Sequence, residues 1–252
     1  MIKLVRPDKP KKLQENEKML TEEYKKTGKP VWRNPYITQP LLEMSHGKCC
    51  YCETELKTQA KNMQVEHYHY KDGYPDEVVD WDNLLPSCSQ CNSNKGTHDT
   101  KKDGEIINPT IDDPRDFLYL QCFMIKSKDN RLNSKGRLTV ELLDLNNRER
   151  LINPRIKIAV EIDKKMQDIH KMMWAFSNRN DGKQYNKNRI MNGILELLKM
   201  AQPESEYSAF MATVLWNNKN YMETKELMKE NALWTIEMQR LHDEMDKIRF
   251  MS

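Results

Sequence analysis

The sequence predicts an α+β chain in which a small zinc-stapled ββα module follows N-terminal helices and precedes a β-hairpin and a mainly helical C-terminal region. Three observations carry this. Two C-x-x-C pairs, Cys49/Cys52 and Cys88/Cys91, bracket residues 53–87. Four thiolates in two such pairs suit tetrahedral zinc, because each turn sets two sulfurs on one edge of the metal. Between the pairs, Met63, Val65 and His67 alternate with polar neighbours, the period of a half-buried strand. From Asn147 onward apolar residues recur at helical spacing.

Taken in order, residues 10–27 read as a short charged helix that starts near Pro10 and stops at Gly28. Its apolar residues Leu13, Leu20 and Tyr24 form only a thin stripe, the pattern of an exposed surface helix. An irregular stretch, V-W-R-N-P-Y, follows Pro30, and a second helix is expected from Pro40 to Met44. Gln64–His69 is the first strand of the module, and Lys71–Glu77 is a loop by its Gly and Pro content. Trp81–Leu85 leads into the second cysteine pair, and Asn92–Thr100 opens a helix. The connector Ile106–Pro114, rich in Pro and Asp, is the best internal boundary. The chain therefore divides on paper into residues 1–44 (basic arm and helices), 45–110 (the module) and 111–252 (hairpin and helical region). Two strands, Phe117–Ile125 and Gly136–Leu143, face each other across a polar turn as the hairpin. Beyond it, Leu151, Ile158, Ile162, Met166 and Ile169, then Ile190, Ile194, Leu197 and Leu198, then Trp216 and the Leu227–Phe250 segment, mark three or four helices. They are broken at Gly182 and Pro203 and pack as a bundle or against the module. The methionines, concentrated outside residues 45–110, read as filler of an irregular core.

Composition narrows the class. A mean hydropathy of −0.88 with 38% hydrophobic residues suits a folded, water-facing chain of 252 residues. No apolar run approaches a membrane span, and the N-terminus lacks the apolar stretch of a signal peptide, so a cytoplasmic protein is expected. In a reducing compartment six cysteines are metal ligands before they are disulfides. Cys50 and Cys122 then remain as ordinary small buried residues. No phosphate-binding G-x-x-x-x-G-K-[ST] loop is present, which removes nucleotide hydrolysis by that route. The net charge of +3 is unevenly spread: residues 1–48 carry +5, residues 49–110 carry −5 and residues 111–252 carry +3. Nucleic-acid binding draws on basic surface to displace counterions, so the module must use that of its flanks or of another subunit. The isolated chain is expected to bind nucleic acid weakly, with the N-terminal arm and the C-terminal helices as docking elements for a partner.

The residues around the cysteine pairs suggest chemistry. Phosphodiester cleavage needs a divalent ion on the phosphate, a base for water, and something to fix that base. His67 is the candidate base, since neutral imidazole takes a proton near pH 7. Glu66 and Asn92 offer hard oxygen ligands for catalytic Mg2+ or Mn2+. Asn83 could hold the imidazole or a backbone carbonyl, and Lys95 could balance charge on the phosphate. Zinc on Cys49, Cys52, Cys88 and Cys91 would pin an element too small to bury a core alone. Each of these residues taken singly has a plainer reading: surface histidine, turn asparagine, helix cap, solvated acid. Their order and spacing together favour the catalytic one. His69 could line the same cleft, and His98 could assist with substrate or metal.

In the order C-x-x-C, Glu66-His67, Asn83, C-x-x-C-Asn92-x-x-Lys95, residues 45–100 resemble the HNH endonucleases and their ββα-metal fold. Glu66 stands where many members have Asp, and Asn92 where others have His. A narrower resemblance rests on five segments. They are M-I-K-L-V-R-P-D-K-P-K-K-L, V-E-H-Y-H-Y-K, D-W-D-N-L-L-P-S-C-S-Q-C-N-S-N-K-G, I-I-N-P-T-I-D-D-P and L-L-D-L-N-N-R-E-R-L. These are similar to the HNH subunits of Septu anti-phage systems and of related retron-associated systems. The resemblance implies a bacterial defence nuclease that cuts DNA or tRNA and acts with a PtuA-like ATPase. In retron systems it implies a reverse transcriptase and its RNA–DNA hybrid as further partners. Two other classes compete: a zinc-containing nucleic-acid binder without cleavage, and an adaptor whose helical region is the working part.

Overall fold

The structure, a computed structural model, describes residues 1–56, 63–179 and 184–251. It divides into two compact units, Met1–Asn147 and Arg148–Ser252. The Ile106–Pro114 connector, expected to be a boundary, lies inside the first unit, because Ile106 and Ile107 are fully buried there.

Helix α1, Lys11–Thr27, ends where Gly28 takes φ 66° and returns its N–H to Tyr24 O at 2.7 Å. Its stripe is not left exposed as expected. Leu13, Leu20, Thr21 and Tyr24 are buried, and the Tyr24 hydroxyl donates to Asp72 Oδ1 at 2.6 Å. Helix α2, Pro35–Met44, starts five residues earlier than expected. Pro35 suits a first helical position, and Pro40 is tolerated within the helix while Ile37 and Leu41 are fully buried. Strands β1, Met63–His67, and β2, Leu84–Cys88, pair antiparallel with Val65 opposite Pro86 and His67 opposite Leu84. Helix α3, Ser89–Lys95, follows at once.

A short helical turn α4, Pro114–Phe117, leads into β3, Leu118–Gln121, and β4, Met124–Ser127. This hairpin turns on Cys122 and Phe123, both left-handed at φ 47° and 66°. It therefore lies within the first expected strand plus its polar neighbours. The second expected strand is instead helix α5, Lys135–Leu142, whose inward residues Gly136, Thr139 and Leu143 recur at three- and four-residue spacing. Gly136 is required there, since a Cβ would stand 2.7 Å from Phe117 O. Cys122, at the hairpin tip, is exposed rather than buried.

The N-terminal arm is also not free. Met1, Ile2 and Leu4 are buried, and Leu4 N donates to Pro109 O at 2.8 Å. Arg6 donates to the carbonyls of Trp81 and Leu84, and the Trp81 indole donates to Pro7 O. Residues expected to dock a partner instead complete the core of the first unit.

In the second unit a π-turn, Arg148–Ile152, opens α6, Asn153–Arg179. Then come α7, Gln184–Met200, α8, Ser208–Trp216, α9, Lys219–Glu230, and α10, Ile236–Ile248. These five helices exceed the three or four expected, because Asn218 and Thr235 cap new helix starts with their side chains. The break at Pro203 is present, whereas that at Gly182 lies outside the described residues. Met166, Met173, Met211, Met228, Met238 and Met245 are buried, as their role of core filler requires. Among the described residues no helix is long and apolar enough to cross a membrane.

Candidate active site

The two cysteine turns meet. The sulfurs of Cys49, Cys52, Cys88 and Cys91 all lie within 4.8 Å of one another, and Cys52 Sγ is 3.7 Å from Cys88 Sγ. With Zn–S bonds of about 2.3 Å, the edge of a sulfur tetrahedron is about 3.8 Å. The first turn is closed by Cys49 N to Thr54 O at 2.9 Å and by left-handed Glu53 at φ 62°. Its Glu53 carboxylate is buried with Lys48 and the Met1 ammonium. In the second turn Cys88 caps α3, its sulfur accepting from Cys91 N at 3.4 Å. Four soft, converging donors fit a zinc ion, and Cys50 stays outside the set as a buried neighbour.

Beside this centre a cleft of about 380 Å³ is lined by Glu66, His67 and Asn92, with Trp32, Arg33, Tyr70, Lys71 and Asp72 among its other walls. His67 ends β1, and its Nε2 lies 2.9 Å from Val78 O. A carbonyl only accepts, so Nε2 carries the proton and Nδ1 keeps the basic lone pair. Burial lowers the His67 pKa to about 4, against the opposing pull of the Val78 carbonyl. The ring is neutral at pH 7. Trp32 stands edge-on to it, with ring centres 4.6 Å apart.

Glu66 is buried, and burial pushes its carboxyl up to about 7, opposed by the Lys95 ammonium 2.7 Å from Oε1. A buried carboxylate next to an asparagine amide in one cleft is a donor set that fits a hard divalent cation. Lys95 differs from expectation: its Nζ is enclosed, holding Glu66 and donating to His67 O at 2.7 Å. It supports the strand end and does not line the cleft.

Asn83 also lies outside the cleft, and it binds backbone. Its Oδ1 accepts from His69 N at 2.6 Å, and its Nδ2 donates to His69 O and Glu77 O, both at 3.1 Å. Glu77 precedes Val78, whose carbonyl holds the His67 ring, so Asn83 acts on His67 at one remove. His69 is not in the cleft. It pairs with Glu77 beside a separate 240 Å³ cavity shared with Asn83, because the chain bends away after β1. His98 closes a loop through Nε2 and Gly104 O at 2.8 Å. The sequence reading missed Trp32 and Arg33, whose only signal was an aromatic–cation pair in a Pro-bounded irregular stretch. The Val78 carbonyl carries no side-chain signature at all.

No family model and no solved structure matches the sequence. Among characterised sequences, the Septu protein PtuB of Bacillus thuringiensis is 44% identical over 241 residues, 96% of this chain and 92% of its own length. The chain belongs to the PtuB family. A second PtuB, from Bacillus mycoides (strain KBAB4), is 27% identical over 168 residues, 54% of this chain and 56% of its own. The first alignment is long enough that PtuB likeness extends to both units of the structure and not only to the cysteine-bearing segment.

Proposed function

We propose that this PtuB-family chain is a metal-dependent HNH endonuclease, the cleaving subunit of a bacterial anti-phage defence complex with a PtuA-like ATPase. The observation that carries the reading is a buried, neutral His67 whose Nε2 is fixed by a backbone carbonyl, in one cleft with Glu66 and Asn92. A binding-only module has no use for an imidazole held in that tautomer beside a buried carboxylate. On this reading β1, β2 and α3 are the ββα-metal module, and zinc on the four cysteines pins its two ends.

Glu66 and Asn92 would hold the catalytic Mg2+ or Mn2+, which when bound supplies Lewis-acid polarisation of the phosphate. The chain's own residues do the rest. His67 Nδ1 takes the proton of the attacking water, and the imidazolium so formed donates a strengthened Nε2–H bond to Val78 O. A phosphate entering the cleft raises the basicity of His67 from its low resting value, since a nearby anion favours the charged ring. Lys95 holds Glu66 and the strand end, and Asn83 holds the loop that bears Val78.

The test is direct. The chain co-purified with its ATPase partner is incubated with DNA and with tRNA, each with Mg2+ or Mn2+, alongside His67→Ala. Cleavage by the wild type and its loss in the variant support the reading; equal behaviour of the two overturns it.

A further inference from the structure

The proposed nuclease has an electrostatic difficulty. Residues 49–110 carry a charge of −5, yet the substrate is a polyanion. The charges around the cleft largely cancel in pairs. Lys71 Nζ lies 2.9 and 3.0 Å from the two oxygens of Asp72, and Lys95 is spent on Glu66. Among the described residues one cation of the lining is left over. Arg33 is exposed, and its guanidinium has no hydrogen bond or ion pair among the described residues.

Arg33 is also held in place. It ends the 3-10 turn Val31–Arg33, whose Val31 is buried and whose Val31 O accepts from Asn34 Nδ2 at 2.8 Å. The intervening Trp32 is wedged between Tyr24 and His67, with ring centres 5.7 and 4.6 Å away. A free, planar guanidinium on an anchored turn at the mouth of an anion-receiving cleft matches the fork geometry of a phosphate.

We propose that Arg33, supplied from outside the ββα segment, binds a backbone phosphate of the nucleic acid beside His67 and so positions the scissile bond. This rests on the nuclease reading, but its test need not. Binding of a labelled DNA duplex, and of RNA of the same sequence, is measured over a NaCl series. The protein is the full chain with its ATPase partner, carrying His67→Ala so that no cutting intervenes. Adding Arg33→Ala should weaken binding about tenfold and lower the salt slope by about one in whichever arm supplies the phosphate. Arg33→Lys should keep the slope while recovering only part of the affinity. Melting temperature and zinc content should not move, and in the otherwise wild-type chain KM should rise more than kcat falls. An unchanged slope in both arms, or a loss accompanied by a lower melting temperature, overturns the proposal. If wild type cuts nothing, the nuclease reading fails, while the slope still decides for or against Arg33.

Discussion

Replacing Asn83 by Ala removes one side chain that satisfies three backbone groups. The His69 N–H and the His69 carbonyl lose their partner at 2.6 and 3.1 Å, while the Glu77 carbonyl loses one donor at 3.1 Å and keeps Asp80 N at 3.2 Å. Asn83 is 3% exposed, so water reaches the gap poorly. A buried polar group left unpaired costs about 1–3 kcal/mol. Carbonyls tolerate the loss better than an N–H, so about 3 kcal/mol in total is reasonable. For a unit of this size that lowers the melting temperature by on the order of 10 °C. Asn83→Asp keeps the acceptor for His69 N–H but turns an acid toward two carbonyl oxygens, and at pH 8 it should be at least as destabilising. Cleavage should fall in both, because displacing Val78 O by ~1 Å misplaces the His67 ring and costs about a hundredfold. Thermal unfolding followed by circular dichroism, with zinc content and single-turnover cleavage measured on the same samples, makes the test. An Asn83→Ala chain that melts within ~2 °C of wild type and cuts normally would refute the clamp.

Other outcomes follow from the same geometry. Metal analysis should find one zinc per chain, and Cys88→Ser should lose it together with the cooperative unfolding of the first unit; a zinc-free native chain would remove the premise. His67→Ala should slow cleavage by roughly two to four orders of magnitude with zinc retained. Because burial holds the free His67 near 4, kcat/KM measured with the divalent ion saturating, so that Glu66 with its own value raised to about 7 is kept ionised, should stay flat as the pH falls from 8 to 6; a loss with midpoint near the ordinary histidine value of about 6.5 that more metal does not shift would contradict the buried ring. Leu4→Asp should cost more than about 3 kcal/mol by placing a charge in the core of the first unit, so proteolysis should attack that unit first; an unaltered melting curve would show the arm to be dispensable.

The four-cysteine cluster was legible because ligand spacing is local: two cysteine turns declare themselves whatever surrounds them, and their sulfurs do converge. The cleft was legible in part. Glu66, His67 and Asn92 meet, but Asn83 and Lys95 work on backbone atoms and on Glu66, partners that no motif names. Helix α5 was misread because Gly136–Leu143 also alternates weakly, and only its packing against Phe117 decides between the two periods. The stripe on α1 looked too thin to bury, since its tyrosine partner, Asp72, lies 48 residues away. Local chemistry reads out directly, while roles set by distant backbone do not.

The half-buried guanidinium of Arg6 sets the size of the piece that can change hands between relatives. Its donors serve the carbonyls of Trp81 and Leu84, on the approach to β2, from a position 75 and 78 residues earlier. A recombination that exchanged only residues 45–110 would set those carbonyls against a foreign arm, and would part the His67 ring from its own Trp32. Diversification by exchange should therefore move Met1–Asn147 as one block, leaving the joint at Arg148 as the place where chimaeras stay folded.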